Sequence, residues 1–169
     1  MIRMTQWPAL RPAVWPAMAA AMLATTAFGQ DMTMVKEVDV EADLSAVQNP
    51  RAAEYWTDIA DDLENAIVAR LTDRIAEDGV KISVDISEVE LANTFENLTN
   101  VADTRMVGQV NITSETDNTA FNSYELTLSV EQALPYFPAG TVVTAITLEN
   151  RDYYSAMIEG FAQAVVDRL

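Results

Sequence analysis

A chain of 169 residues with 26 acidic and 10 basic side chains carries a formal charge of −16, a sign that repels nucleic acid and anionic lipid. The chain holds neither cysteine nor histidine. Their absence excludes disulfides, thiolate chemistry, acylation of a lipobox cysteine, serine–histidine and cysteine–histidine catalysis, and histidine-based zinc sites.

The first element is a secretory signal peptide over residues 1–29. Arg3 and Arg11 precede the apolar run AVWPAMAAAMLATTAF, Ala13 to Phe28, which closes on small residues at Ala27 and Gly29. The run falls short of the roughly 20 residues a membrane span needs, and Pro16 interrupts it. Cleavage is expected after Gly29, leaving Gln30 as the new N-terminus, or else after Ala27; an uncleaved anchor is the alternative. Loss of the leader removes Arg3 and Arg11, so 8 basic residues face 26 acidic ones at a formal charge of about −18. Residues 30–169 then suit a single α/β domain with one core. The charge reads either as a basic-partner or cation-binding surface or as a solubility device in a salty environment.

From Met34 the chain alternates, with Met34, Val38, Val40 and Ala42 on one parity and Glu37, Asp39, Glu41 and Asp43 on the other, which predicts a strand with one buried face. Asn49-Pro50 is a helix start: Asn49 caps, and Pro50 takes the first helical position, where its missing N–H is not needed. Trp56, Ile59, Ala60, Leu63, Ala66, Ile67, Leu71 and Ile75 then recur at three- and four-residue steps and predict one long amphipathic helix stopped by Gly79. Arg70 with Asp73 and Arg74 with Asp78 are expected surface pairs on it.

Val80, Ile82, Val84 and Ile86 alternate with Lys81, Ser83, Asp85 and Ser87, the clearest strand pattern in the chain. The parity change at Val89 and Leu91 suggests a bulge or the strand's end. Ala92 to Asp103 reads as a loop, with room for a short helical turn, anchored by Phe95 and Leu98. Met106, Gly108, Val110 and Ile112 form the next alternating set and Tyr124, Leu126, Leu128 and Val130 the one after, an antiparallel hairpin with a long loop from Ser114 to Asn122. Gly108 is expected to permit close packing against a helix. Pro135 and Pro138 impose a turn around Tyr136 and Phe137, and Thr141 to Leu148 could supply a short edge strand. A second helix, capped by Asn150 or Asp152, carries the apolar stripe Tyr154, Met157, Ile158, Phe161, Val165 and Leu169.

These elements predict an α+β two-layer sandwich of order β-α-β-β-β-α, a four- or five-stranded mixed sheet with two helices on one face. The first two strands should run parallel across a helical crossover. The uncovered face would show Lys81, Ser83, Asp85, Arg105, Gln109, Asn111, Glu125, Thr127 and Ser129, a docking surface or an ordinary solvated face.

No catalytic, cofactor-binding or metal-ligating residue stands out. Calcium is the one metal the ligand set suits, and Ser114-Glu115-Thr116-Asp117-Asn118 is the best local cluster, yet it lacks the acidic spacing and the glycine of an EF-hand loop. A serine–lysine dyad would need Lys36 or Lys81, both on open strands. Carboxylate-pair hydrolysis needs a cleft that the pattern does not mark. Asn97-Leu98-Thr99 and Asn111-Ile112-Thr113 match glycosylation sequons, which matter only in a eukaryotic host.

The segment VKISVDISEVEL from Val80 to Leu91, the alternating hairpin after it and the closing ENRDYYSAMIEGFAQAVVDRL resemble small cell-envelope α/β proteins of Gram-negative bacteria, namely the transport-auxiliary lipoproteins and TolB-N-terminal-like domains. The resemblance implies a non-enzymatic protein that binds proteins or lipids in the envelope. The missing lipobox cysteine departs from the lipoproteins and points to a soluble periplasmic role without a stable membrane anchor. The expected function is a periplasmic binding or envelope-assembly accessory acting through an envelope protein partner. The alternatives are a small-ligand or cation-binding protein and, less favoured, a hydrolase.

Overall fold

The computed structural model describes residues 32–96, 104–117, 119, 121–142 and 151–169, all within the compact unit Asp31–Leu169. The expected signal peptide, the Asn97 sequon, the Leu98 anchor, the Asn150 cap and most of the expected Thr141–Leu148 strand lie outside these residues.

Four strands, β1 (Val35–Glu41), β2 (Val80–Ile86), β3 (Arg105–Thr113) and β4 (Asn122–Ser129), form one mixed sheet in the order β1-β2-β3-β4. β1 and β2 run parallel, and β2-β3 and β3-β4 pair antiparallel. Alternation decides the layers: Val38, Val40, Ile82, Val84, Met106, Val110, Leu126 and Leu128 are buried, while the opposite parity, polar except for Val107, faces away from the core. Two main helices, α2 (Ile59–Arg70) and α5 (Arg151–Val166), supply the second layer, so the expected α+β two-layer sandwich stands. Gly108 admits α5 as expected, since a Cβ there would lie 3.0 Å from Phe161 Cζ.

Strand β1 carries a bulge that reverses the expected parity at its start. Val35 pairs with Val80 and Glu37 with Lys81, leaving Lys36 as an extra residue. Val35 is therefore fully buried and Met34 37% exposed, the reverse of the assignment that parity suggests.

The single long helix is broken. Asn49 caps α1 (Pro50–Tyr55) by accepting the Arg51 N–H at 3.1 Å, and a turn at Trp56–Asp58 precedes α2. Ala52, Trp56, Ile59 and Leu63 are all buried, so their spacing continues through the break and conceals it. Helix α2 ends at Arg70, nine residues before Gly79. Residues 74–76 instead flank the start of β1: Val35 N–H donates to the Arg74 carbonyl at 2.7 Å and Ala76 N–H to the Val35 carbonyl at 2.9 Å. Ile75, which fits the helix stripe by spacing alone, is 49% exposed in this β-bridge. Neither expected surface pair forms. Arg70 binds Glu159, and Arg74 Nε donates to the Thr33 carbonyl at 3.0 Å.

The parity change after β2 marks the strand's end at Ile86, one of its two expected readings, and the start of a helix, α3 (Glu88–Glu96), which takes up residues 92–96 of the expected loop. Leu91, Thr94 and Phe95 turn inward, the Trp56 indole donates to the Leu91 carbonyl at 3.2 Å, and the Thr94 hydroxyl donates to the Arg105 carbonyl at 3.1 Å. Val130, the last residue of the fourth strand's pattern, instead opens α4 (Val130–Ala133), whose Ser129 and Gln132 form a reciprocal capping box. A 3-10 turn at Leu134–Tyr136 follows, with Pro135 in its first turn. On α5, burial extends beyond the expected stripe to Tyr153, Ala156, Gly160 and Ala162, because α5 packs against α2, α4 and the sheet at once.

Candidate functional site

The uncovered sheet face brings together all nine residues expected on it, and pairing arranges them in rows across the strands. One row joins Asp39, Ser83, Asn111 and Ser123; the next joins Glu41, Asp85, Gln109 and Glu125. Arg105 stands opposite Ser129, and Val107 opposite Thr127. Side-chain hydrogen bonds stitch the rows: Gln109 Nε2 donates to Ser123 Oγ at 3.0 Å, and Ser123 Oγ donates to Asn111 Oδ1 at 2.7 Å. No aromatic side chain occupies an open-face position of these four strands.

Charge on the face is uneven. Lys81 is held by Glu37 at 2.8 Å and Asp39 at 3.9 Å, and Arg105 by Glu90 of α3 at 3.1 Å. Lys36, at the bulge, pairs with Glu115 of the β3-β4 loop at 2.6 Å. The Glu115 contact raises the Lys36 pKa and holds the Glu115 carboxyl below its ordinary range; Lys81 is raised in the same way by Glu37. A lysine base needs the opposite shift, so neither lysine is poised for the serine–lysine chemistry weighed from the sequence.

At the C-terminal ends of the parallel strands β1 and β2, an open groove of about 570 Å³ is lined by Glu41, Asp43, Asp85 and Glu88 with Val40, Ala42 and Ala60. The Asp43 N–H donates to Glu88 Oε1 at 2.9 Å, which fixes Glu88 across the groove mouth. Among the described residues no lysine or arginine makes an ion pair with these four carboxylates. Glu41 and Asp85 are direct cross-strand partners in the parallel pair of β1 and β2, so two carboxylates stand side by side on the open face.

A second, smaller pit of about 210 Å³ lies at the opposite end of the sheet, between Val80, Ile112, Phe121 and Arg168. Arg168 is also stacked 4.6 Å from the centroid of the Tyr124 ring. In the loop considered for calcium, Ser114 Oγ accepts from the Thr116 and Asp117 N–H groups, and Asp117 Oδ1 accepts from Thr119. Among the described residues no group of three or more aspartates and glutamates is arranged to hold a metal ion.

Sequence reasoning places nine members of this face on β2, β3 and β4 but omits Val107 and Ser123 there and Glu37, Asp39 and Glu41 on β1, and it does not join Asp43 and Glu88 to them. The polar parity of β1 is visible in the sequence. The register that sets Glu41 against Asp85, and the helix that carries Glu88, are not. Comparison with protein-family models, with curated proteins and with solved structures gave no match.

Proposed function

We propose that this chain is an exported, non-catalytic binding or envelope-assembly accessory protein, working in the periplasm through contact with another protein of the cell envelope. One observation carries the reading: an open polar sheet face spans four strands, hydrogen-bonded between the side chains of β3 and β4, with the main helices α2 and α5 packed on the other side. Such a face offers a broad, rigid contact surface. The carboxylates of the acidic groove support a binding role over a hydrolytic one, because Glu41, Asp43 and Asp85 are exposed to water, whereas general acid catalysis by a carboxyl depends on a desolvated site. The resemblance of the Val80–Leu91 segment and the closing helix to envelope proteins, and the leader at residues 1–29, support the compartment.

The test is mild crosslinking of the C-terminally tagged protein in Gram-negative envelopes, followed by mass spectrometry of bait and partners. The expected result is a mature N-terminus at Gln30 or Phe28 together with one reproducible envelope protein. A lone monomer with an intact leader would count against both compartment and role. Small-ligand or cation binding is the alternative: the four groove carboxylates form no metal-holding cluster but give the groove a negative lining that suits an organic cation, and such a ligand would raise the melting temperature.

A further inference from the structure

The open sheet face has a sign as well as a shape. Its register positions hold five carboxylates, Glu37, Asp39, Glu41, Asp85 and Glu125, against two cations, Lys81 and Arg105, and both cations are already engaged. Glu41, Asp85 and Glu125 share one row across β1, β2 and β4 and make no ion pair among the described residues. Asp43 and Glu88 extend that row into the groove beyond the ends of β1 and β2. Negative charge thus outweighs positive on this face, in a pattern set by strand register.

We infer that the occupant of this face is a protein partner presenting lysine and arginine side chains, which lie along the Glu41–Asp85–Glu125 row and enter the groove at Asp43 and Glu88. This rests on the protein-contact reading above and names the chemistry of the partner. Guanidinium and ammonium groups pair with the adjacent Glu41 and Asp85 carboxylates, and the flanking Ser83, Gln109, Asn111 and Thr127 supply hydrogen bonds around the charged row. Other occupants fit less well. A second copy would set carboxylates against carboxylates, nucleic acid and anionic lipid are repelled, and glycan or base stacking needs the aromatic platform this face lacks.

The experiment places a photo-crosslinking residue at Ser83 on the open face or, separately, at Thr57 on the helix side of the full exported chain. The crosslinked peptide is identified by mass spectrometry. Crosslinking at Ser83 is then repeated in E41Q/D85N/E88Q and in E54Q/D73N/E77Q, which removes the same charge from exposed positions elsewhere. The Glu88→Gln change keeps a side-chain oxygen for the Asp43 N–H, and circular dichroism checks that both variants fold. The expected result is a Ser83 crosslink to a lysine- and arginine-rich segment of one protein, reduced by about tenfold or more in the first variant and changed less than about twofold in the second. Equal losses in both variants would overturn the inference, as would a crosslink to a segment without basic residues or to a second copy of this chain. A crosslink from Thr57 alone would overturn it while leaving the protein-contact reading intact; no crosslink from either position would sink both.

Discussion

Arg70 of α2 is bound to Glu159 of α5 twice over: its Nη2 donates to the Glu159 carboxylate and, at 3.2 Å, to the Glu159 backbone carbonyl. The same guanidinium donates through Nε to Gln163 Oε1 at 3.1 Å and through Nη1 to the Ala66 carbonyl at 2.8 Å. These contacts fix how the two main helices sit over the sheet. The side chain is only 20% exposed, so solvent screens the pair less than it would a surface bridge.

Replacing Arg70 with Met preserves the packed stem but removes every donor, and we expect a loss of about 1–2 kcal/mol. Glu159→Gln keeps an acceptor and should cost less than about 1 kcal/mol. Urea denaturation measures both. A lower midpoint with an unchanged slope is expected, and an R70M midpoint equal to wild type would show that these contacts do not hold the helices.

Gly79 and Gly140 make opposite predictions about the same substitution. A Cβ on Gly79 would lie 2.5 Å from the Val35 carbonyl carbon and 2.7 Å from both Lys36 N and Met34 C, all backbone atoms of β1 or its lead-in. Gly79→Ala must displace that segment and should cost more than about 2 kcal/mol. Gly140 has φ of 88° with nothing within 4 Å of a Cβ, so Gly140→Ala meets only left-handed strain of about 1 kcal/mol. Thermal melts of the two variants should rank G79A well below G140A.

The contrast also shows where sequence reasoning succeeds and stops. Period-two alternation identifies all four strands because each buries one face, and the open-face residues on β2, β3 and β4 follow from it. Gly79 reads as a helix stop because Leu71 and Ile75 preserve helical spacing; its actual role, close approach to β1, depends on a partner 44 residues away. Lys36 is inserted by a bulge that the pattern of Met34, Val38 and Val40 hides, and α3 is too short, with Val89 exposed, to show a clear helical stripe. The acidic corner needs both of these tertiary facts: β1 aligned against β2, and Glu88 brought back on α3.

Trp56 is the only tryptophan in residues 30–169, and it sits at the break between α1 and α2 with 1% exposure. Its indole meets Tyr55 edge-on at 4.7 Å between centroids and bonds the Leu91 carbonyl of α3. Trp56→Phe should destabilise by about 2–4 kcal/mol, through the cavity and the stranded carbonyl together. In the exported form, tryptophan emission should be blue-shifted and move to the red at the same urea concentration at which far-ultraviolet dichroism is lost. A red-shift at lower urea would show the α1–α3 corner opening separately from the sheet.

Four tyrosines divide by the fate of their hydroxyls. Those of Tyr55 and Tyr124 are buried without a hydrogen-bond partner, whereas the Tyr153 hydroxyl meets Thr104 Oγ1 at 2.8 Å and the Tyr154 hydroxyl donates to Asp62 Oδ2 at 2.8 Å. Tyr55→Phe should therefore be neutral or stabilising by up to about 1 kcal/mol, and Tyr154→Phe destabilising by about 1–2 kcal/mol, because it strips a carboxylate of its donor. Burial also pushes the Tyr153 pKa up to about 12 against the opposing pull of its threonine hydrogen bonds, and burial raises Tyr55 and Tyr154 as well. Below the ordinary tyrosine value near 10 both folded and unfolded chains keep these protons. As pH rises past it, the unfolded chain releases them first, so the unfolded state is favoured and stability falls toward pH 12. Urea midpoints at pH 8, 10 and 11 should decline progressively, and Tyr153→Phe should flatten part of that decline despite its lower starting stability. A Y153F profile parallel to wild type would show that the Tyr153 phenol does not contribute to alkaline unfolding.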